Sequence, residues 1–192
     1  MLYIPEQTVK STVIVGIDPG SENLGFATIE FDFATYDIVA TKAITYVGSK
    51  LMSKNTWLTE HHGERVGRIA CLKEIVIERL QELDPILVVC ESPFYNPRRP
   101  GAYGVLVEVM LALKEATREY DPWRVLNMID PPTVKKSVGA KGNAGKEDVL
   151  QAVLNLPGLN YQGNVPLSDL DEHSIDAIAV AYSKYKELFL DK

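Results

Sequence analysis

Two cysteines among 192 residues are too few to staple a fold. Cys71 sits inside an apolar helical pattern and Cys90 ends an apolar strand pattern, so both read as small buried hydrophobes rather than a disulfide or redox pair. Long hydrophobic runs are missing too: none approaches the ~20 residues that a membrane span requires, and no signal-peptide pattern opens the sequence. The expectation is a soluble, cytoplasmic protein without a membrane partner. Basic residues are in deficit, with 20 Lys and Arg against 26 Asp and Glu and a formal net charge of −6. That balance argues against binding polyanions over the whole surface, yet permits one local basic face. There is no internal repeat and no low-complexity tract. What is there is an ordinary globular composition, 46% hydrophobic and 24% charged, and enough chain for one domain with a real core.

Hydrophobic periodicity orders that chain. Residues 1–10 are polar with a proline and read as an N-terminal arm. β-Branched and apolar residues over 12–18 give a buried strand, and 24–33 and 38–47 give two more, close enough in sequence for an antiparallel meander. Residues 48–61 carry Gly, Ser, Lys and Asn and read as a mobile loop; His61 and His62 carry no assignment, and Trp57 and Trp123 are expected to serve packing. From Val66 to Leu83 the apolar period becomes helical, giving a helix over 64–83 that Asp84-Pro85 ends. A strand over 86–91, a Pro/Arg loop over 92–101, a helix over about 102–119 and a strand over 124–129 follow. Pro131-Pro132 opens a helix, where proline is tolerated. A glycine-rich loop over 139–145, a helix over 146–155, a loop over 157–170 and a last helix over about 172–189 complete the chain. Three meander strands followed by alternating helix and strand predict an α/β fold with a mixed five-stranded sheet and helices on both faces. In such a layout the first strand pairs with the fourth at the centre.

The chemistry lies in acidic positions at element ends. Asp18 closes Val13-Ile14-Val15-Gly16-Ile17, and Glu91 closes Ile86-Leu87-Val88-Val89-Cys90. His173 and Asp176 stand three apart at the start of the last helix, hence on one face. Each has an ordinary reading: Asp18-Pro19-Gly20 as a common turn, Glu91 as a cap on Ser92-Pro93, His173 pointing to solvent. Asp176 is harder to dismiss, because Ile175, Ala177, Ile178 and Val180 surround it. Carboxylates beside buried strands are costly without a partner. With no evident Arg or Lys mate, a cluster of them invites Mg²⁺ or Mn²⁺, hard cations that select oxygen ligands. Asp171 and Glu172 read as first-turn acids favoured by the helix dipole, or as accessory ligands.

Basic residues divide in the same way. Lys135 and Lys136 begin a helix, and Lys141 and Lys146 frame Gly139-Ala140-Lys141-Gly142-Asn143-Ala144-Gly145. They make either a solvated face or a phosphate-binding loop in which backbone N–H groups and point charges converge. The loop lacks the Gly-Lys-Ser/Thr ending of a nucleotide P-loop, which excludes Walker-type ATP binding. After Glu91, the stretch Pro93-Phe94-Tyr95-Asn96-Pro97-Arg98-Arg99-Pro100 joins two aromatics to two arginines. Phe94 either packs inward or stacks on an unpaired base.

Taken in order, these motifs resemble those of the RuvC-type Holliday junction resolvases of the RNase H-like superfamily. The matching stretches are Gly16-Ile17-Asp18-Pro19-Gly20-Ser21 with Gly25-Phe26-Ala27, Val88-Val89-Cys90-Glu91-Ser92-Pro93-Phe94, Val134 to Gly139 with Gly142 to Val149, and His173 to Ala181. The resemblance implies a single RNase H-like nuclease domain over 1–192. It also implies a homodimeric, Mg²⁺-dependent endonuclease that makes paired nicks in four-way branched DNA. Asp18, Glu91, His173 and Asp176 would be the catalytic and metal-binding set, with Mn²⁺ able to substitute and two ions per site. His173 would act as a ligand or as a proton carrier. Lys135 and Lys146 would match family lysines that engage DNA, and Phe94 the aromatic that stacks at the junction; Lys136, Lys141, Arg98 and Arg99 are candidates for DNA contact from the residues themselves. The arm before residue 12, the Pro/Arg-rich loop and the stretch from Asn160 to Glu172 depart from the family pattern. They bear on junction fit, cleavage-sequence preference and any branch-migration partner. A divergent stand-alone member would suit a phage. Rival readings are a broader nuclease of branched DNA or RNA, an ATP-binding protein of the actin/sugar-kinase type, and a non-catalytic junction-binding module.

Overall fold

The computed structural model describes residues 11–53, 56–95, 97 and 100–191. The N-terminal arm, Arg98 and Arg99 lie outside the described residues. Three antiparallel strands come first, β1 (Ser11–Asp18), β2 (Asn23–Asp32) and β3 (Ile38–Val47). Two short helices follow, α1 (Gly48–Met52) and α2 (Thr56–His62), then α3 (Glu64–Leu83), β4 (Leu87–Glu91), α4 (Pro100–Tyr120) and β5 (Leu126–Ile129). The chain closes with α5 (Pro131–Ser137), α6 (Lys146–Leu154), a 3₁₀ turn at Leu167–Asp169 and α7 (Glu172–Phe189). The sheet order is β3-β2-β1-β4-β5, so the expected central pairing of the first and fourth strands is present. β1 runs parallel to β4, with Ile17 level with Cys90, and antiparallel to β2, with Asp18 opposite Gly25.

β1 is covered on both faces, which is why its sequence is a continuous apolar run rather than an alternation. Ile14, Ala27, Ile29, Phe31 and Val89 face a layer made by α5, α6 and α7. Val15, Ile17, Leu24, Phe26, Val88 and Cys90 face α3 and α4. Helices thus lie on both faces, as the patterning predicts. α3 ends at Asp84, which adopts a left-handed φ of 43° just before Pro85. α5 starts on Pro131-Pro132 behind an Asp130 cap, its carboxylate accepting from the Thr133 amide at 3.0 Å.

Three expectations need correction. Residues 48–61 are not one loop: α1 and α2 fold back onto α3, where Gly67 admits Met52 and Thr59 at close range. Polar composition hid them, because short surface helices need only one buried edge. Trp57 and Trp123 do not pack: they are 59% and 91% exposed. The last strand begins at Leu126 rather than at residue 124, since Arg124 turns back onto Asp121 and donates to the Ile86 carbonyl. The stretch that departs from the family pattern covers the sheet edge. The Thr41 amide donates to Asn160 at 2.7 Å and the Gln162 amide to Thr41 at 2.8 Å, so the outer backbone of β3 is paired locally. Among the described residues no helix is long and apolar enough to cross a membrane.

Candidate active site

Asp18 and Glu91 end adjacent parallel strands, so their side chains emerge at the same edge of the sheet. α7 crosses above them, and two glycines set how close it comes. A Cβ on Gly25 would lie 2.0 Å from the His173 carbonyl oxygen, and one on Gly16 would lie 2.4 Å from that of Ala177. Without side chains at these positions the helix settles directly on β1 and β2, carrying His173 and Asp176 to Asp18.

The N-terminus of α7 is pinned independently. Asp171 caps it, accepting from the Ser174 amide at 3.0 Å, and also accepts from the Thr45 hydroxyl on β3 at 2.5 Å. Burial alone would raise the Asp171 pKa, but these donors outweigh it and hold the carboxyl below its usual range. Asp171 is a helix cap in this structure. Neither Thr45 nor Ser174 stands out in the sequence. Only the Asp-x-x-Ser spacing ahead of an apolar helix signals the cap.

His173 Nδ1 lies 2.7 Å from Asp18 Oδ2. That bond raises the histidine's pKa, against the opposing effect of its burial. Asp18 is itself raised, because its burial outweighs the imidazole's help. Glu91 is pushed up to about 8, first by burial and then by the Asp18 and Asp176 charges, with Lys135 opposing. Asp176 is raised to about 6 by burial and by Asp18. Among the described residues no Lys or Arg forms an ion pair with any of these three carboxylates. Three mutually repelling acids at one sheet edge are the donor chemistry of a hard divalent cation. As placed, no three His, Cys, Asp or Glu among the described residues stand close enough together to hold an ion. Asp18 is turned to His173 instead.

The lysines separate into two pairs. The charges of Lys135 and Lys146 reach the carboxylates, Lys135 acting on Glu91 and Asp176, and Lys146 on Asp18 and Asp176. Lys135 is held by donating to the Ala144 carbonyl at 2.7 Å, and Lys146 is ion-paired to Glu172. Lys136 instead acts on Asp130, and Lys141 lines a separate groove of about 380 Å³ with Asp148, Gln151 and Asn155. Phe94 does not pack inward: it is 64% exposed, beside Tyr95, whose ring meets Tyr103 edge-on at 5.7 Å.

No protein-family model matches the chain. Individual relatives do. The crossover junction endodeoxyribonuclease RuvC of Ruegeria pomeroyi is 29% identical over 180 residues, spanning 90% of this chain and 91% of its own. That of Rickettsia conorii is 25% identical over 177 residues, spanning 89% and 95%. Thermus thermophilus RuvC superimposes with a TM-score of 0.62 at 22% identity, over 92% of this chain and 95% of its own. The chain is similar in sequence to RuvC endonucleases and similar in fold to Thermus RuvC. The same Thermus RuvC, solved with a Holliday junction substrate, also matches at a TM-score of 0.62 and 19% identity. The likeness runs over nearly the whole of both chains, and it covers the mixed five-stranded sheet with its helices.

Proposed function

We propose that this chain is a single-domain, metal-dependent endonuclease that resolves four-way DNA junctions by paired symmetric nicks. The observation that carries this reading is the convergence of Asp18, Glu91 and Asp176, with His173, at the edge where β1 and β4 end beneath α7. The curated RuvC relatives, named as crossover junction endodeoxyribonucleases, support the substrate class.

Asp18, Glu91 and Asp176 are the residues to hold divalent metal, with two Mg²⁺ per site and Mn²⁺ able to substitute. Bound there, such ions would polarise the scissile phosphate and lower the pKa of the attacking water. The chain's own groups do the rest. Carboxylates whose pKa values are raised by burial and mutual repulsion lose that penalty when a cation joins them. His173, now bonded to Asp18, would be available beside a bound ion as a ligand or as a proton carrier. Lys146 offsets charge developing on the phosphate. Lys135, Lys136, Lys141, Arg98 and Arg99 follow the DNA backbone, and Phe94 stacks on a base opened at the crossover. Hydrolysis in this sense leaves 5′-phosphate and 3′-hydroxyl ends. Two symmetric nicks call for two sites on a two-fold axis, which a homodimer supplies.

The deciding experiment is cleavage of a synthetic four-way junction beside linear duplex of the same sequence, with Mg²⁺ or with EDTA. Paired nicks confined to the junction and to the metal arm are expected. Equal nicking of forks and flaps would mean a broader branched-DNA nuclease, and tight binding without cleavage would mean a binding module.

A further inference from the structure

Glu172 has no role in the catalytic set, yet it connects one member, His173, to Lys146. One of its carboxylate oxygens, Oε2, pairs with Lys146, and the other lies 3.6 Å from His173 Nε2. Asp18, His173, Glu172 and Lys146 therefore form a continuous chain of alternating acid and base, running from the sheet edge to the first residue of α6. Lys146 and Glu172 are the first residues of two helices whose N-termini converge, and positive helix ends attract an anion. Beside them opens a cleft of about 170 Å³ whose polar lining is Lys146, Glu147, Glu172 and Asp176, with Leu150, Leu170 and Ile175 as its apolar part. A candidate metal ligand, Asp176, and the Lys146–Glu172 ion pair thus share one cleft.

A carboxylate paired with a lysine at the start of a helix occupies a position that also suits a phosphate oxygen. We propose that Glu172 is a positioning residue that mimics the DNA phosphate in the free protein. It holds Lys146 and the outer edge of His173 until the junction backbone displaces it. This rests on the nuclease reading above and deepens it: Lys146 is engaged in the free state, and DNA binding is an exchange of one anion for another on that lysine. The ion pair is exposed, with Lys146 70% and Glu172 41% accessible, so it is a weak latch rather than a block. Exposed pairs contribute about 0.2–1 kcal/mol, or about 1.4- to 5-fold in an equilibrium constant.

The test is a double-mutant cycle on four-way junction binding, read by fluorescence anisotropy in EDTA so that no cleavage intervenes. The proteins are the wild type, E172Q, K146M and the double variant, each checked for an unchanged melting temperature, with E172D as the conservative control. E172Q should bind about twofold to fivefold more tightly than wild type, E172D should not, and the gain should vanish when Lys146 is Met. An equal gain in both backgrounds would make Glu172 a plain repulsive charge and overturn the proposal, as would no gain at all. A wild type that does not prefer the junction over linear duplex would instead remove the nuclease reading, and this proposal with it.

Discussion

At the residue scale, the site is a set of acids whose burial works against their ionisation. Glu91, raised to about 8, and Asp176, raised to about 6, bind protons more tightly in the fold than in the unfolded chain. Their contribution to stability is therefore complete below the ordinary carboxylate range and is lost as pH rises through about 6 and then about 8. His173, also raised, acts in the same direction. Metal-free protein should melt at a lower temperature at pH 8.5 than at pH 5.5, by at least about 2–4 °C for each kcal/mol lost. Saturating Mg²⁺ should reverse the trend, because a ligand that requires ionised carboxylates stabilises most where they are ionised. A flat profile measured in EDTA by differential scanning fluorimetry would contradict this account of the site. The same acids define the catalytic prediction. D18N, E91Q and D176N should each reduce single-turnover nicking at least ~100-fold, since even groups that only support metal ligands cost 10–100-fold. Junction binding should remain. Wild-type nicking by D18N would remove the metal assignment.

Elements decide whether those side chains meet. α7 is apolar where it crosses the sheet, with Ile175, Ala177, Ile178, Val180 and Ala181 buried, and the pattern is legible in the sequence. Its height above the sheet is not legible, because it depends on Gly16 and Gly25 lacking a Cβ. G25A should push the helix off β2, since its new methyl would meet the backbone at His173 rather than a flexible side chain. Overpacking of this kind costs about 1–3 kcal/mol, and the lost seating should lower nicking beyond the loss of stability. Equal activity and melting temperature in G25A would show that the helix is free to shift. D171A removes the cap that ties α7 to Thr45 and should destabilise by about 0.5–2 kcal/mol. Urea denaturation measures it, and wild-type stability would mean that the Thr45 and Ser174 bonds carry no weight.

For the whole molecule, the net charge of −6 is no bar to a DNA partner. Part of the acidity is gathered at the sheet edge, where α5 and α6 bring Lys135 and Lys146 beside it. Junction affinity should fall as salt rises, and K146M should flatten the slope of log affinity against log salt by about one phosphate contact. An unchanged slope would mean that Lys146 does not meet the backbone. The exposed rings of Phe94 and Tyr95 stand just past Glu91 in the chain. F94A should weaken four-way junction binding by about 1–3 kcal/mol and linear duplex much less, as expected for loss of one stacked base. Two-fold assembly is checked by sedimentation of the free protein together with the symmetry of the nicks. A monomer that nicks one strand at a time would reject the homodimer.

Taken by itself, the sequence determined the strand meander, the alternation that follows, the helices over 64–83 and 172–189, and the identity of the acids that end two strands. Such features follow from local periodicity and from the cost of placing carboxylates beside apolar runs. It did not reveal α1 and α2, whose stability comes from leaning on α3, nor the exposure of Trp57 and Trp123, since burial is a property of what packs above a residue. The tertiary structure alone decided that Asp18 faces His173 at 2.7 Å, that Asp171 ties α7 to Thr45, and that Glu172 bridges His173 and Lys146. Each of these joins residues far apart in the chain or fixes a side-chain direction. Both depend on how closely α7 approaches the sheet, a distance that no single segment encodes.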